Sequence, residues 1–171
     1  MLFGDNSDVD PEILETLRRN SGLSLSIDGV FYFQGDVVPN PRVQDLFHRG
    51  LSVRDDGDVT LKVGEIWAYV KAAGVARFIT ALKPGAAGLV LRWRDLSEGG
   101  AEQPFIGIAS DDRFYLWENQ AAKPAILLRS AHQALAECLE EGEGGPGLAL
   151  PQGRVIIAEL HEVPGPSTDR P

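Results

Sequence analysis

The spacing of apolar residues near the start of the chain predicts a short helix followed by a β-hairpin. Asp10-Pro11 is typical of a helix N-cap followed by the favoured first helical proline. The apolar positions that come next have helical spacing: Ile13, Leu14 and Leu17. From Leu23 to Ile27 the period becomes two, as in a strand, and Asp28-Gly29 then has the sequence of a two-residue hairpin turn.

The same kind of pattern predicts the elements that follow the hairpin. Asn40-Pro41 repeats the cap and proline, and four apolar residues then share one helical face: Val43, Leu46, Phe47 and Leu51. Alternation predicts strands at 59–63, 75–82 and 89–94, with a turn containing proline and glycine at 83–88. A short strand at 105–108, a helix from about Pro124 to Glu141 and a last strand at 154–160 complete the pattern.

Two parts of the chain repeat a similar series of residues. Three features recur at nearly constant spacing: Phe31-Tyr32 and Phe114-Tyr115, Pro41 and Pro124, and His48 and His132. The predicted fold class is therefore α+β, with two similar hairpin-helix-strand lobes around a mixed or antiparallel sheet, and an internal duplication would explain the repeat. We expect one domain at 1–163, with repeat-like halves at about 22–82 and 105–163, and a disordered tail at 164–171.

Composition excludes several classes of protein. The 171 residues, 43% of them hydrophobic, suffice for one soluble domain with its own core, and the single cysteine cannot form an internal disulfide. The first residues lack a signal-peptide pattern and no apolar run is long enough to span a membrane, so a cytoplasmic protein is expected. The net charge of −9 disfavours nucleic acid as a partner, because neutralising phosphates requires a basic surface.

Basic residues are concentrated between Lys62 and Arg94, where six bases accompany one acid. A symmetric turn at 83–88 would place Arg92 and Arg94 opposite Thr80 and Phe78 on one sheet face. An arginine beside an aromatic ring can hold an anion or stack on a planar ligand. Alternatively, these side chains only solvate the sheet or meet the acidic helix end. The candidate residues for binding a partner or ligand are Trp67, Tyr69, Arg77, Phe78, Arg92 and Arg94.

Familiar catalytic signatures are missing from the sequence. Neither glycine-rich segment is followed by the lysine and hydroxyl of a phosphate-binding loop, and there is no Gly-x-Ser-x-Gly elbow. Neither acidic run supplies both the glycine and the closing glutamate of a calcium loop. His48 and His132 are weaker candidates for a pocket between the lobes. The sequence therefore predicts no cofactor and no metal, and it favours a non-catalytic protein over an enzyme.

The segment from residue 25 to about residue 70 contains three motifs of a known bacterial family. They are Ile27-Asp28-Gly29 in the hairpin, Val-Gln-Asp-Leu-Phe at 43–47, and a second Asp-Gly turn within 56–61. These motifs resemble the opening of the DUF1285 family, a domain of unknown function. Phe31 or Tyr32 stands where that family has tryptophan, and 63–68 differs from its acidic signature. The resemblance covers under half of the chain, and it implies a two-lobed α+β fold with repeated motifs and a role in signal transduction or ligand binding.

Three functional hypotheses follow from these observations. The first is a cytoplasmic, non-catalytic binding or regulatory domain that takes a protein partner or a small anionic ligand on the basic sheet. The second is a small enzyme or ligand sensor with a pocket between the lobes that uses His48 and His132. The third is a structural subunit that forms a homodimer or larger assembly, because its acidic helix end could match the basic sheet of another copy.

Overall fold

A computed structural model describes residues 9–171. The first part of this range contains two helices and six strands: α1 (Pro11–Arg19), β1 (Leu23–Leu25), β2 (Phe31–Phe33), β3 (Asp36–Val37), α2 (Pro41–Gly50), β4 (Leu51–Val53), β5 (Val59–Val63) and β6 (Ile66–Ala72). Both helices begin as the sequence predicts, because the side chains of Asp10 and Asn40 accept hydrogen bonds from backbone N–H groups of the first turn.

The remainder contains one helix and nine strands. They are β7 (Phe78–Gly85), β8 (Gly88–Trp93), β9 (Glu98–Ala101), β10 (Phe105–Ile108), β11 (Phe114–Trp117), β12 (Ala125–Leu127), α3 (Arg129–Cys138), β13 (Gly147–Leu150), β14 (Gly153–Ile156) and β15 (Ala158–Glu159). Among the described residues, no helix is both long enough and apolar enough to cross a membrane. The predicted α+β class is confirmed.

The strands form two large mixed sheets. Sheet 1 has the order β3-β2-β1-β6-β5-β4, sheet 2 has the order β15-β10-β11-β12-β7-β8-β9, and β13 and β14 form a separate two-stranded sheet. In sheet 1 the hairpin β1-β2 is joined by β6, which runs parallel to β1. In sheet 2 the hairpin β10-β11 is joined by β15, which runs parallel to β10. Each lobe therefore contains a hairpin, a helix and a returning parallel strand.

The two lobes pack against one another through one face of each sheet. The shared core includes Leu25, Phe31 and Val70 from sheet 1 and Tyr115 and Trp117 from sheet 2. A second core lies on the other side of sheet 2, beneath α3 and the β13-β14 hairpin. At the surface, the turns of the two hairpins are joined by an ion pair between Arg113 and Asp28, with Nη1 and Oδ1 2.6 Å apart.

Helix α2 is held against sheet 1 by two buried polar side chains. The Gln44 Oε1 atom accepts a hydrogen bond from the N–H of Phe31 at 2.9 Å, and its Nε2 donates to the carbonyls of Phe31 and Val38 at 3.0 and 2.9 Å. The Nε2 of His48 donates to the carbonyl of Gly29 at 2.6 Å. These bonds connect α2 to the β1-β2 hairpin and to the residue that follows β3.

The helix expected over 124–141 is shorter than the pattern predicts. It is α3, Arg129–Cys138, and the residues before it form β12. Strand β12 pairs with β11 on one side and with β7 on the other, so all three of its residues are buried. A short, continuous apolar run has the same pattern in a buried strand and in a buried helix, which explains the error. Pro124 precedes this strand and does not begin a helix.

The register of the β7-β8 hairpin also differs from the symmetric turn that the sequence suggested. The strands continue to Gly85 and Gly88, which face each other across a two-residue turn, and Arg92 faces Ala81 and not Thr80. A register shift lies between Ile79 and Ala81, and beyond it Ile79 faces Trp93 as the sequence predicts. The turn requires glycine, since a Cβ at Gly88, where φ is +127°, would lie 2.3 Å from the Ala101 carbonyl oxygen.

Residues 164–171, for which the sequence predicts disorder, lie against the two lobes. The carbonyl of Thr168 accepts a hydrogen bond from the Trp117 indole at 3.0 Å. Arg170 lies over the Phe105 ring, and Ser167 lies beside Gly57 in the turn between β4 and β5. A buried indole N–H needs an acceptor, and this segment supplies it.

We expect Gln44→Met to destabilise the protein by about 1–3 kcal/mol, because it leaves the buried N–H of Phe31 without an acceptor. Urea denaturation measures the change in the free energy of unfolding. Gln133→Met is the matched control on the exposed face of α3, and we expect it to change stability by no more than about 0.5 kcal/mol. Equal effects of the two substitutions would show that the Gln44 amide does not hold α2 in place.

Candidate functional site

Two adjoining cavities lie between the lobes. The first has a volume of about 200 Å³. Its walls come from the end of α2 and the start of β4, from the start of β7 and the residues before it, and from the end of β8 and the turn after it: His48, Leu51, Ala76, Arg77, Phe78, Trp93, Arg94, Asp95 and Ser97. The second has a volume of about 560 Å³ and lies between strand β4 and residues 118–123 of the second lobe. Leu51, Ala76 and Arg77 line both cavities, so the two form one cleft.

Arg77 stands between the two cavities and is rigidly held. Its Nη2 and Nη1 atoms contact the Glu118 carboxylate oxygens at 2.5 and 2.8 Å, and Nη1 also donates to the carbonyl of Lys123 at 2.6 Å. The guanidinium also lies over the Trp93 ring, 4.4 Å from its centroid. A bidentate pair and a stacked face together fix the plane of this group. Arg77 therefore forms a wall of the cleft.

Arg94 lines the smaller cavity and is held from one side only. Its Nη1 donates to the Asp45 carboxylate on α2 at 2.6 Å, and this hydrogen bond lowers the pKa of Asp45. Within the described residues, its other guanidinium nitrogens have no hydrogen-bond partner. About a quarter of the side chain is exposed, at 27%. A fixed guanidinium with spare donors at a cavity wall is suited to binding an oxyanion.

His48 forms the inner wall of the smaller cavity. Its ring is buried and makes edge-to-face contacts with Phe31 and Phe78, with centroids 5.0 and 5.5 Å apart. Burial lowers its pKa, so the ring is neutral at physiological pH and its Nε2 proton is committed to the Gly29 carbonyl. His48 is therefore placed to support the cavity wall, and its Nε2 is not available as a base.

The other predicted residues lie outside the cleft. Trp67 and Tyr69 are on the outer face of sheet 1, where Arg18 and Arg19 of α1 stack over them at 4.1 and 4.0 Å. Arg92 is exposed on the β8-β9 hairpin and pairs with Glu98 at 3.0 Å. His132 lies on α3, and its ring packs on that of Phe114 with the two centroids 4.6 Å apart. The structure brings together Arg77, Phe78, Arg94 and His48, and it leaves the remaining four apart.

The two histidines make related contacts but do not face one pocket. Each ring packs on a phenylalanine of the hairpin in its own lobe, His48 on Phe31 and His132 on Phe114. His48 lies in the last turn of α2, whereas His132 lies in the first turn of α3. A symmetric pair of histidines facing one pocket does not form.

Several residues of the cleft were not identified from the sequence as site residues, including Trp93, Ser97, Glu118 and Lys123. Trp93 and Ser97 flank Arg94, and they could have been found by extending the basic segment. Glu118 and Lys123 come from a distant loop and meet Arg77 only in the fold. Among the described residues, no three His, Cys, Asp or Glu side chains are grouped so that they could hold a metal ion. The chemistry that the cleft offers is cation-assisted hydrogen bonding beside an aromatic ring.

The neutral, buried state of His48 predicts a specific pH dependence of stability. Its pKa is lowered from the ordinary value of 6.5, so the unfolded chain binds more protons than the folded protein below neutrality. The stabilisation is complete above about pH 7 and is lost as the pH falls through about 6 toward the folded pKa. We expect chemical denaturation from pH 8 to 5 to show this loss, and we expect His48→Gln to abolish it. His132→Gln is the matched control and should keep it; an unchanged pH dependence in His48→Gln would contradict the assignment.

No protein-family model matches the chain, and no curated protein matches it significantly. Two solved structures share its fold. A DUF1285 family protein from Silicibacter pomeroyi DSS-3 superposes with a TM-score of 0.61 at 14% identity, over 78% of this chain and 78% of that one. A DUF1285 family protein from Shewanella baltica OS155 superposes with a TM-score of 0.50 at 15% identity, over 68% of this chain and 91% of that one.

The likeness extends well beyond the segment from which the resemblance was first drawn, since it covers 78% of the chain. At these sequence identities the similarity shows a shared backbone fold and does not show shared site residues. The chain therefore has the fold of DUF1285 family proteins, which confirms the resemblance predicted from its sequence.

Proposed function

We propose that this protein is a binding domain that takes a small anionic ligand in the cleft between its lobes. The observation that carries the proposal is the position of Arg94, which shares one cavity with Trp93 and Ser97 and is anchored from behind by Asp45. Arginines held in place before binding lose little conformational freedom when a ligand arrives. The site is thus prepared for a ligand oxygen.

The charge of the cleft supports an anion over a cation. Arg77, Arg94 and Lys123 line it in a chain whose net charge is −9. Glu118 is already bonded twice to Arg77, so it is not free to attract a cation. Among the lining residues of the smaller cavity, Asp95 is the acid that opposes the two arginines. Low dielectric between the lobes strengthens these interactions relative to an open surface.

The size of the smaller cavity limits the ligand. At about 200 Å³ it is smaller than the roughly 300–1,000 Å³ that sites for drug-sized molecules occupy. It suits a group such as a carboxylate or a phosphate, and any larger part of the ligand would extend into the adjoining cavity beside β4. The Trp93 ring, with Arg77 stacked on it, forms an apolar wall of the smaller cavity.

The rival enzymatic hypothesis has weaker support. It required His48 and His132 to line one pocket. His132 instead packs on Phe114 and does not line the cleft. His48 lines the cavity, yet its Nε2 proton is used by a backbone carbonyl and its pKa is lowered by burial. A role in signal transduction also remains a hypothesis, because the described geometry bears on ligand chemistry and not on a pathway.

The proposal predicts that Arg94→Gln weakens anion binding while Arg92→Gln does not. Loss of one charge-assisted hydrogen bond should raise the dissociation constant about 10-fold or more. Titration of the ¹⁵N-labelled protein with inorganic phosphate and with succinate measures this, through shifts of the amides of Arg94 and Ser97 and of the Trp93 indole. Raising the salt concentration should weaken binding in the unmodified protein.

Arg92→Gln is a matched control, because Arg92 is two residues from Arg94 and also pairs with a carboxylate, but it lies outside the cleft. Thermal unfolding of both variants checks that the substitutions leave the fold intact, since the Arg94–Asp45 pair is partly exposed and is worth at most about 1 kcal/mol. The proposal would be overturned if the two substitutions changed the dissociation constant equally. It would also be overturned if neither anion changed the chemical shifts of residues near Arg94.

A further inference from the structure

Strand β4 presents a backbone edge to the larger cavity of the cleft. It is the last strand of sheet 1, and among the strands that the structure describes it pairs with β5 alone. All three of its residues, 51–53, line the larger cavity. Side chains alternate between the two faces of a sheet, so three consecutive residues border one cavity where the edge of the strand faces it. Such an edge offers main-chain N–H and C=O groups to a further strand.

The hydrogen bonds between β4 and β5 show which backbone groups point into the cavity. The N–H of Arg54 donates to the carbonyl of Asp58 at 2.8 Å, where the two strands meet at their turn. In an antiparallel pair every second residue bonds to the neighbouring strand, so Ser52 is the next residue bonded to β5. The N–H and C=O of Val53 and the C=O of Leu51 therefore point away from β5 and toward the cleft.

The N–H of Leu51 is already used, because it donates to the carbonyl of His48 at the end of α2. A strand added antiparallel to β4 would form two hydrogen bonds with Val53. Its residue opposite Leu51 would donate an N–H but would find no donor for its own carbonyl. A chain that ends at this residue avoids the unpaired carbonyl, and its terminal carboxylate then lies at the smaller cavity, which Leu51 and Arg94 both line.

We propose that the anion bound in this cleft is the terminal carboxylate of an extended peptide, which adds to β4 as an antiparallel strand. This inference rests on the proposed function and names the class of ligand for the same site. Main-chain hydrogen bonds to β4 hold the peptide, and the Arg94 guanidinium binds its carboxylate. Arg77 and Arg94 outnumber Asp95 in the smaller cavity, so its charge matches that of the peptide's end. The partner is the C-terminal segment of another protein.

The two faces of β4 predict which side chains the peptide carries. Leu51 and Val53 pack against the core between the lobes, whereas Ser52 is exposed. Residues opposite one another on neighbouring strands share a face, so the last and third-last residues of the peptide face the core and the residue between them faces solvent. The wall opposite β4 includes Ala121 and Ala122, whose small side chains leave room for branched apolar groups. We therefore expect apolar residues at the last and third-last positions.

Titration of the ¹⁵N-labelled full chain with the peptide acetyl-Ala-Val-Ser-Val, which carries a free carboxylate, tests the proposal. We expect the amide of Val53 to shift together with those of Arg94 and Ser97, and we expect the peptide to bind more tightly than succinate. The same peptide with a C-terminal amide should bind about 10-fold more weakly, because it lacks the charge that Arg94 binds. N-methylation of its last valine should weaken binding about 5-fold, because it removes the N–H that pairs with the Leu51 carbonyl.

A substitution on β4 separates the strand contact from the anion contact. Val53→Pro removes an N–H that points away from β5, so the bonds to β5 remain, and we expect it to weaken peptide binding about 10-fold and leave succinate binding unchanged. Val37→Pro is the matched control. Val37 lies on β3 at the opposite edge of sheet 1, and its N–H also points outward, because the next residue, Val38, donates to the Phe31 carbonyl. Thermal unfolding checks that both variants are folded.

The peptide proposal and the anion site on which it rests fail through different results. A peptide that binds no more tightly than succinate, or whose amide form binds equally well, would overturn the peptide proposal and leave the anion site standing. If neither succinate nor the peptide shifts residues near Arg94, both are wrong. A Val53 amide that shifts with rising protein concentration alone would show a second copy of the chain on β4, and it would also overturn the peptide proposal.

Discussion

Two buried polar side chains fix α2 on sheet 1, and the contacts of this helix with the second lobe depend on that position. Gln44 makes two hydrogen bonds to the backbone of Phe31 in β2 and one to the carbonyl of Val38, and His48 donates to the carbonyl of Gly29 in the turn before β2. These partners are backbone groups, which have fixed places in the fold. Helix α2 can therefore form all four hydrogen bonds in one position only. The edge-to-face contact of His48 with Phe78 then positions α2 relative to sheet 2.

The geometry of the cleft depends on the position of α2. Asp45 lies on the same helix, one residue from Gln44, and its carboxylate holds the Arg94 guanidinium of the second lobe. Arg77 is fixed separately, by Glu118 and by the ring of Trp93. The walls of the cleft therefore come from elements of both lobes, and its shape depends on how the lobes are held together more than on any single strand or loop.

Features with a local cause were predicted correctly from the sequence, and features with a distant cause were not. The caps at Asp10 and Asn40 depend on residues close in the chain, and both helices begin as expected. The β1-β2 hairpin also forms where Asp28-Gly29 predicts it, although its turn contains three residues, 27–29, because the Ser26 N–H bonds to the Val30 carbonyl. Strand β12 was missed because its identity depends on β7 and β11 on either side. Likewise, an excess of bases between Lys62 and Arg94 was visible, but the carboxylates of Asp45 and Glu118 that hold them come from other segments. Whether the repeated pattern reflects a duplication stays a prediction.

The returning parallel strands also bear on how the chain folds. Ser24 pairs with Lys71 in sheet 1 and Gly107 with Ala158 in sheet 2, so in each lobe the strand that closes the sheet comes long after the hairpin it joins. Contacts between residues far apart in sequence carry a larger loop-closure entropy than a hairpin does. We expect the hairpins to form early and the parallel pairs late. The cleft, which needs both lobes in place, would then be among the last parts of the molecule to take shape.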